Sequence, residues 1–287
     1  MRAAKRAPER DGAQFVRRAI HFFGLRFAQA LQPRRASAPR RTIAALMAAA
    51  ARARPASLQA VTGGGPVIVI APHPDDETLG CGGLLAACAE AGVEARVFIL
   101  ADGGLSHPGS RAAREGRLAS KRAREAVQAL AALGLPRRAL TTLALRDGGL
   151  LFDRAGLAHA AATIARQARA LGAKRLLVSW RHDPHPDHIA ASLCADLVAA
   201  QAPRLAVLHY PIRGRLLPGD IALSDARWAP LAFDVRRHLP AKRRAMAAYA
   251  TQTAGAVADA AVSFGLSAGD LAAFLGPREI YFSTARR

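Results

Sequence analysis

The sequence predicts an α/β protein in which helices cover both faces of a mostly parallel sheet. Two observations carry this reading. From Gly63 onward, short runs rich in Val, Ile and Leu alternate with longer stretches of helical periodicity, the order that crossovers between parallel strands produce. The first run, Val67 to Ala71 (VIVIA), has no polar residue, which suits a strand buried on both faces.

The elements follow in order. Val67 to Ala71 is the first strand, and Thr78 to Ala91 reads as a helix stopped by Gly92. Ala95 to Ala101 (ARVFILA) is the second strand, and Arg117 to Leu133, ended by Gly134, is the next helix. Leu140 to Leu145 is a third strand, Leu157 to Leu171 a helix before Gly172, and Arg175 to Trp180 a fourth strand. After His188 a helix runs toward Ala200, and Leu205 to Tyr210 is another strand. In the tail, Trp228 to Val235 reads as a strand and Pro240 to Gln252 as a helix with proline in its first turn. Ser267 to Phe274 reads as a short helix, Ser267 and Asp270 having capping-box spacing. The whole is a Rossmann-like three-layer sandwich with its site at the carboxyl ends of the strands.

Residues 1–62 differ. Phe15, Ile20, Phe23, Phe27 and Leu31 recur at helical intervals, residues 33–39 break the pattern, and Thr42 to Ala53 is Ala-rich and helical. This segment reads as a basic, partly helical extension that packs on the domain or lies on an anionic membrane; residues 63–287 form the chemical domain.

Composition narrows the class. The 287 residues are 51% hydrophobic and 22% charged, ample for a core and unlike a disordered chain. Apolar stretches fall short of the roughly 20 residues that span a bilayer. Three cysteines, Cys81, Cys88 and Cys194, form no CxxC pair; they read as structural and place the protein in the reducing cytoplasm. The net charge of +20 is concentrated at the start, where residues 1–60 hold thirteen Lys or Arg against Glu9 and Asp11. Arg far outnumbers Lys and Ala is abundant, a pairing that GC-rich codons produce, so no nucleic-acid partner is expected.

Two polar clusters follow strands, where an open α/β sheet binds its ligands. One is Pro72-His73-Pro74-Asp75-Asp76-Glu77, after VIVIA; the other is His182-Asp183-Pro184-His185-Pro186-Asp187-His188, after RLLVSW. A catalytic zinc takes three protein ligands from His and carboxylate and keeps one position open. His73, an aspartate of the first cluster and His188 can supply that set, leaving the other aspartate and His185 for acid-base work. Spacing does not settle which aspartate does which. Turn and helix-cap chemistry accounts for either cluster alone, but two clusters at equivalent strand ends favour a site.

The stretch Ala71-Pro72-His73-Pro74-Asp75-Asp76-Glu77-Thr78-Leu79-Gly80-Cys81-Gly82-Gly83, with His185-Pro186-Asp187-His188, closely resembles the LmbE-like/PIG-L family of zinc-dependent N-deacetylases. Those enzymes act on N-acetylglucosamine-type groups in glycolipids, sugar conjugates and antibiotic precursors. The resemblance implies that His73, Asp76 and His188 bind Zn2+ or another divalent metal, that Asp75 is the general base, and that His185 stabilises the oxyanion or protonates the amine with Asp187 holding its imidazole. It also implies substrate contacts from Arg122 of the Arg-x-x-Glu pair with Glu125, from Asp147, and from Asp102. Asp183 stands where some sugar-conjugate deacetylases carry an aromatic residue.

The expected function is hydrolysis of an N-acyl group, namely the acetamide of an amino-sugar conjugate such as a glycolipid or cell-surface glycan precursor, with peripheral membrane contact through the basic N-terminus. Two rivals are a sugar-nucleotide enzyme of glycosyltransferase type and a polyanion- or membrane-surface-binding protein led by residues 1–60. The first lacks the GxGxxG fingerprint; Gly80-x-Gly82-Gly83 reads instead as close helix packing. The loop around His107 is expected to be mobile over the pocket, His209 and His238 are not expected to be ligands, and Trp180 lines the sugar site or fills the sheet edge.

Overall fold

The computed structural model describes residues 42–216, 223, 228–260 and 262–284; the Phe15 to Leu31 stripe lies outside them. Two N-terminal helices, α1 (Ile43–Arg52) and α2 (Leu58–Thr62), precede β1 (Val67–Ala71). There follow α3 (Asp76–Glu90), β2 (Ala95–Ala101), the short α4 (Arg111–Arg114), α5 (Arg117–Ala132), β3 (Leu140–Leu145), α6 (Arg154–Leu171), β4 (Arg175–Ser179), α7 (Pro186–Gln201) and β5 (Ala206–Tyr210). The chain ends with β6 (Trp228–Asp234), α8 (Leu239–Ala248), α9 (Ala250–Thr253), α10 (Ala268–Phe274) and β7 (Arg278–Thr284).

The sheet runs β3-β2-β1-β4-β5-β7-β6. Strands β1 to β5 are parallel, and β7 is antiparallel to both β5 and β6. β1 leads through α3 to β2 on one side, while β4 lies against its other edge, so the strand order reverses between β1 and β4. That reversal opens a crevice at the carboxyl ends of the two strands.

Each strand feeds two cores. Val67, Val69 and Ala71 pack with Leu84, Leu130 and Tyr249 on one face, and Ile68 and Ile70 pack with Ile164, Ala191 and Val198 on the other. This explains why VIVIA carries no polar position. A third cluster joins Ile43, Leu46 and Ala50 of α1 to Trp180, Trp228, Ile280 and Phe282. Trp180 is fully buried there, so it fills the sheet edge rather than lining the site. Val61 of α2 belongs to the main core; the described part of the N-terminal segment therefore packs on the sheet.

Close packing accounts for the glycines of α3. A Cβ on Gly80 would lie 2.3 Å from the Tyr210 ring, and one on Gly83 would lie 2.4 Å from Val235. Beside them sits a buried ion pair, Lys242 Nζ donating to Glu279 Oε1 at 2.7 Å and to the Leu79 carbonyl at 2.8 Å. Glu279 also accepts the Gly83 and Leu84 amides at 2.7 and 2.9 Å. All three cysteines are buried thiols.

The tail departs from the sequence reading. Strand β7 was not expected, and the helix expected over Pro240 to Gln252 is two pieces. Tyr249, between α8 and α9, takes φ −82° and ψ 58°, and its hydroxyl donates to Glu77 Oε1 at 2.6 Å. The side chain reaches down to the buried acid while the helix ends. Among the described residues no helix is long and apolar enough to cross a membrane.

Candidate active site

The loop after β1 turns sharply into α3. Asp75 stands at its N-cap with φ 125°, a strained backbone for any residue with a Cβ. Several contacts hold it there. Its amide donates to Glu77 Oε2 at 3.2 Å, its carbonyl accepts the Thr78 and Leu79 amides, and Arg122 Nη2 lies 3.3 Å from its Oδ2. The result aims the Asp75 and Asp76 carboxylates differently, which tandem sequence positions alone do not reveal.

Asp76 faces two imidazoles. Its Oδ2 is 3.3 Å from His73 Nδ1 and 3.4 Å from His188 Nε2, and the two rings are 5.5 Å apart between centroids. Corners of a tetrahedral site with bonds of 2.0–2.1 Å are separated by about 3.3 Å. The other nitrogen of each histidine meets a carboxylate: His73 Nε2 lies 3.0 Å from Asp187 Oδ2 and 3.2 Å from Asp147 Oδ1, and His188 Nδ1 lies 2.9 Å from Asp183 Oδ2. Carboxylates behind histidines in this way orient metal-ligating imidazoles. His185 extends the histidine group, its ring 4.9 Å from His73 and 5.1 Å from His188; ligand atoms of these three histidines lie within 4.8 Å of one another, as do those of His73, Asp147 and Asp187. Asp76, Asp147, Asp183 and Asp187 are all buried, so the donor set is rich in negative charge and suits a divalent cation.

The electrostatics agree. Burial lowers the His188 pKa, but Asp76 and Asp183 outweigh it and lift it to about 9. His73 is likewise raised, its hydrogen bonds to Asp147, Asp187 and Asp76 overcoming burial. Asp75 behaves differently: burial pushes its carboxyl up to about 7 against the opposing Arg122 charge. Burial, with the neighbouring His73, His188 and Arg213, holds His185 well below the usual histidine range. Neutral His185 accepts the Asp187 amide at Nδ1, at 3.2 Å, so its proton resides on Nε2.

Several expected roles change. The Asp187 carboxylate does not hold His185; it accepts the Gly148 and Leu150 amides at 2.8 and 3.1 Å and meets His73, because the first turn of α7 presents its backbone, not this side chain, to the imidazole. Asp183, at the position where some sugar-conjugate deacetylases carry an aromatic residue, is fully buried behind His188. Asp102 accepts its own loop's Gly104 amide at 2.9 Å and does not line the cavity. Arg122 does line it but spends its guanidinium on the Pro74 and Gly103 carbonyls and on Asp75. Its partner in the motif, Glu125, accepts Thr251 at its amide and hydroxyl. Asp147 lines the cavity while accepting the Leu105 amide at 2.8 Å.

His73, Asp75, Asp76, Asp147, His185 and His188 floor a cavity of about 500 Å³ whose outer wall comes from Leu105, Ile212, Arg213, Phe264 and Leu266. His107, expected on a mobile loop, is buried and bridges Ser106 Oγ at 3.1 Å and Ser263 Oγ at 2.9 Å. The Phe264 amide donates to the Ser106 carbonyl at 2.9 Å, and the Arg111 amide to Asp259 at 2.7 Å. The two loops are thus clipped together. His209 lies apart, edge-on to Trp228. The 263–266 wall had no motif to announce it; only the fold brings it to the site.

Known proteins resemble this chain in sequence and in fold. The family described as PIG-L: GlcNAc-PI de-N-acetylase matches residues 68–199. The chain is 30% identical over 233 residues to 1D-myo-inositol 2-acetamido-2-deoxy-alpha-D-glucopyranoside deacetylase 1 of Saccharopolyspora erythraea, covering 65% of this chain and 77% of that protein. Among solved structures, A40926 pseudoaglycone deacetylase superposes with a TM-score of 0.58 at 21% identity, covering 77% of this chain and 97% of the other. The zinc-inhibited form of teicoplanin deacetylase superposes with a TM-score of 0.59 at 17% identity over 77% and 98%. With its paired motifs converging where the strand order reverses, the chain belongs to the PIG-L (LmbE-like) family.

Proposed function

We propose that the protein is a metal-dependent hydrolase that removes the N-acetyl group from a small amino-sugar substrate. The observation that carries this reading is Asp76 Oδ2 standing 3.3 and 3.4 Å from two imidazoles, with the Asp75 carboxylate beside it in the same cavity. The family match and the deacetylase relative support the substrate class.

His73, Asp76 and His188 would hold the divalent ion, zinc in our reading, and Asp187, Asp147 and Asp183 orient the two imidazoles. When bound, the ion polarises the acyl oxygen and acidifies a water. Asp75 takes the proton of the attacking water, its carboxylate kept on station by Arg122 and by the Glu77-anchored turn. His185 donates a hydrogen bond from its Nε2 proton to the developing oxyanion, and the proton taken up by Asp75 passes to the departing amine. The products are acetate and a free amino sugar. Residues 63–287 carry this chemistry, with α1 and α2 as structural support.

Metal analysis of the purified chain, followed by acetate release from a panel of N-acetylated amino sugars, tests the reading. Protein that binds no divalent metal, or that releases acetate from none of the panel with any metal supplied, would overturn it.

A further inference from the structure

Ile212, Arg213 and Gly214 form a short segment that crosses the cavity wall. Asp183 grips it on both sides, accepting the Ile212 amide at 3.0 Å with Oδ2 and the Gly214 amide at 2.6 Å with Oδ1. A Cβ at Gly214 would fall 2.6 Å from Asp183 Oδ1 and 2.9 Å from the Trp180 ring, so the backbone presses directly on that buried support. The residue between the two clamped amides is therefore fixed in position, and its side chain lines the cavity.

That side chain is a guanidinium with little to do. Its one hydrogen bond within the described residues is a long one, Nη2 to the Phe264 carbonyl at 3.4 Å, and it forms no ion pair there. Arg122, the other arginine of the cavity, has both terminal nitrogens engaged, on two carbonyls and Asp75. Asp270, the acid of the outer wall, is committed to the Ser267 amide and hydroxyl at 2.9 and 2.8 Å. A half-buried arginine offers a planar fork of donors that matches a carboxylate or phosphate. The floor, by contrast, has Asp75, Asp76 and Asp147 committed to the proposed metal centre and the attacking water, so an anionic substituent of the sugar is left to the outer wall.

We propose that Arg213 is a specificity-determining residue that selects amino-sugar substrates bearing an oxyanion substituent, phosphate or carboxylate, close to the acetamide. This rests on the deacetylase reading above. Among substrates of equal size, the anionic ones gain a charge-assisted contact that a neutral sugar lacks.

The test compares kcat/KM of the full chain for N-acetylglucosamine 1-phosphate, N-acetylmuramic acid and the neutral methyl glycoside of N-acetylglucosamine. The wild type should favour at least one anionic sugar over the neutral one by roughly 10- to 100-fold, the scale of a hydrogen bond to a charged group. Phosphate and carboxylate arms tell which oxyanion fits. In Arg213→Gln the preference should collapse toward unity, mainly through KM for the anionic sugar. Arg213→Lys, which keeps the charge without the fork, should restore part of it, with unchanged melting temperature showing that both variants fold. Equal use of all three sugars by the wild type, or an anionic preference that survives Arg213→Gln, overturns the assignment while leaving the deacetylase reading intact. Acetate release from none of the three overturns both.

Discussion

Asp183 Oδ2 lies 2.9 Å from His188 Nδ1 while the same carboxylate accepts two amides of the 212–214 segment. One buried acid thus sets both an imidazole of the proposed metal centre and the wall of the cavity. Asp183→Asn keeps the volume but cannot serve three donors as an anion does. Loss of such a supporting carboxylate weakens metal affinity by about 10- to 100-fold, and we expect that loss here. Competition with a chelator of known affinity measures it; an unchanged dissociation constant would remove Asp183 from the metal centre's support.

Asp75→Ala separates chemistry from binding. A positioned base contributes about 10²- to 10⁴-fold, so turnover should fall by that range while metal content stays at the wild-type level. His188→Ala should lose both. Turnover of Asp75→Ala within a few-fold of wild type would sink the base assignment.

Lys242 and Glu279 are 0% and 1% exposed at their side chains. Breaking a buried pair on one side leaves an uncompensated charge and costs about 3–5 kcal/mol. Lys242→Met should therefore unfold at markedly lower denaturant, and Lys242→Met with Glu279→Gln should recover part of the loss. A single-variant loss below about 1 kcal/mol by chemical denaturation would show that the pair contributes little.

His209 gives a pH signature remote from the catalytic groups. Burial, with Arg181 nearby, lowers its pKa from 6.5 to about 3, and its Nδ1 has no partner among the described residues. Between those values the unfolded chain binds the proton and the folded chain does not. Stability should therefore be fully present above pH 6.5 and decline as pH falls toward 3, by up to about 1.4 kcal/mol per pH unit from this group. His209→Leu should flatten that part of the profile; matching slopes in the two proteins would count against it.

Chains shortened to Thr42 and to Gly63 should differ. The first keeps Ile43, Leu46, Ala50 and Val61, each 3% exposed or less; the second removes them. Burial of one such aliphatic side chain stabilises by roughly 1.5–3 kcal/mol, so the Gly63 form should melt well below the Thr42 form. Equal melting temperatures would show that α1 and α2 are dispensable.

The parallel half of the sheet was legible because its strands are largely apolar and α3, α5 and α6 end just before Gly92, Gly134 and Gly172. Strands β1, β2 and β3 fall where the pattern puts them, and β4 and β5 do so to within one residue. The tail was not. In β7, Ile280, Tyr281 and Phe282 are all buried, so the strand shows neither alternation nor enough length to tell it from a helix fragment. The His and Asp clusters were readable as a pair because both follow strands. Which carboxylate backs which imidazole was not, since that depends on how the first turn of α7 and the 148–150 loop meet, 37 to 39 residues apart in sequence. The outer wall was least legible: His107 and Ser263 are 156 residues apart and neither lies in a recognisable motif.

The clip between the 103–111 and 254–267 loops has a consequence for how such a protein diversifies. The reacting floor is inherited from strand ends near the middle of the sheet, whereas much of the rim is supplied by a stretch that contributes nothing to the sheet. Substitutions or length changes between Gln252 and Ser267 can therefore alter which guest is admitted while the hydrolytic apparatus beneath is left as it was.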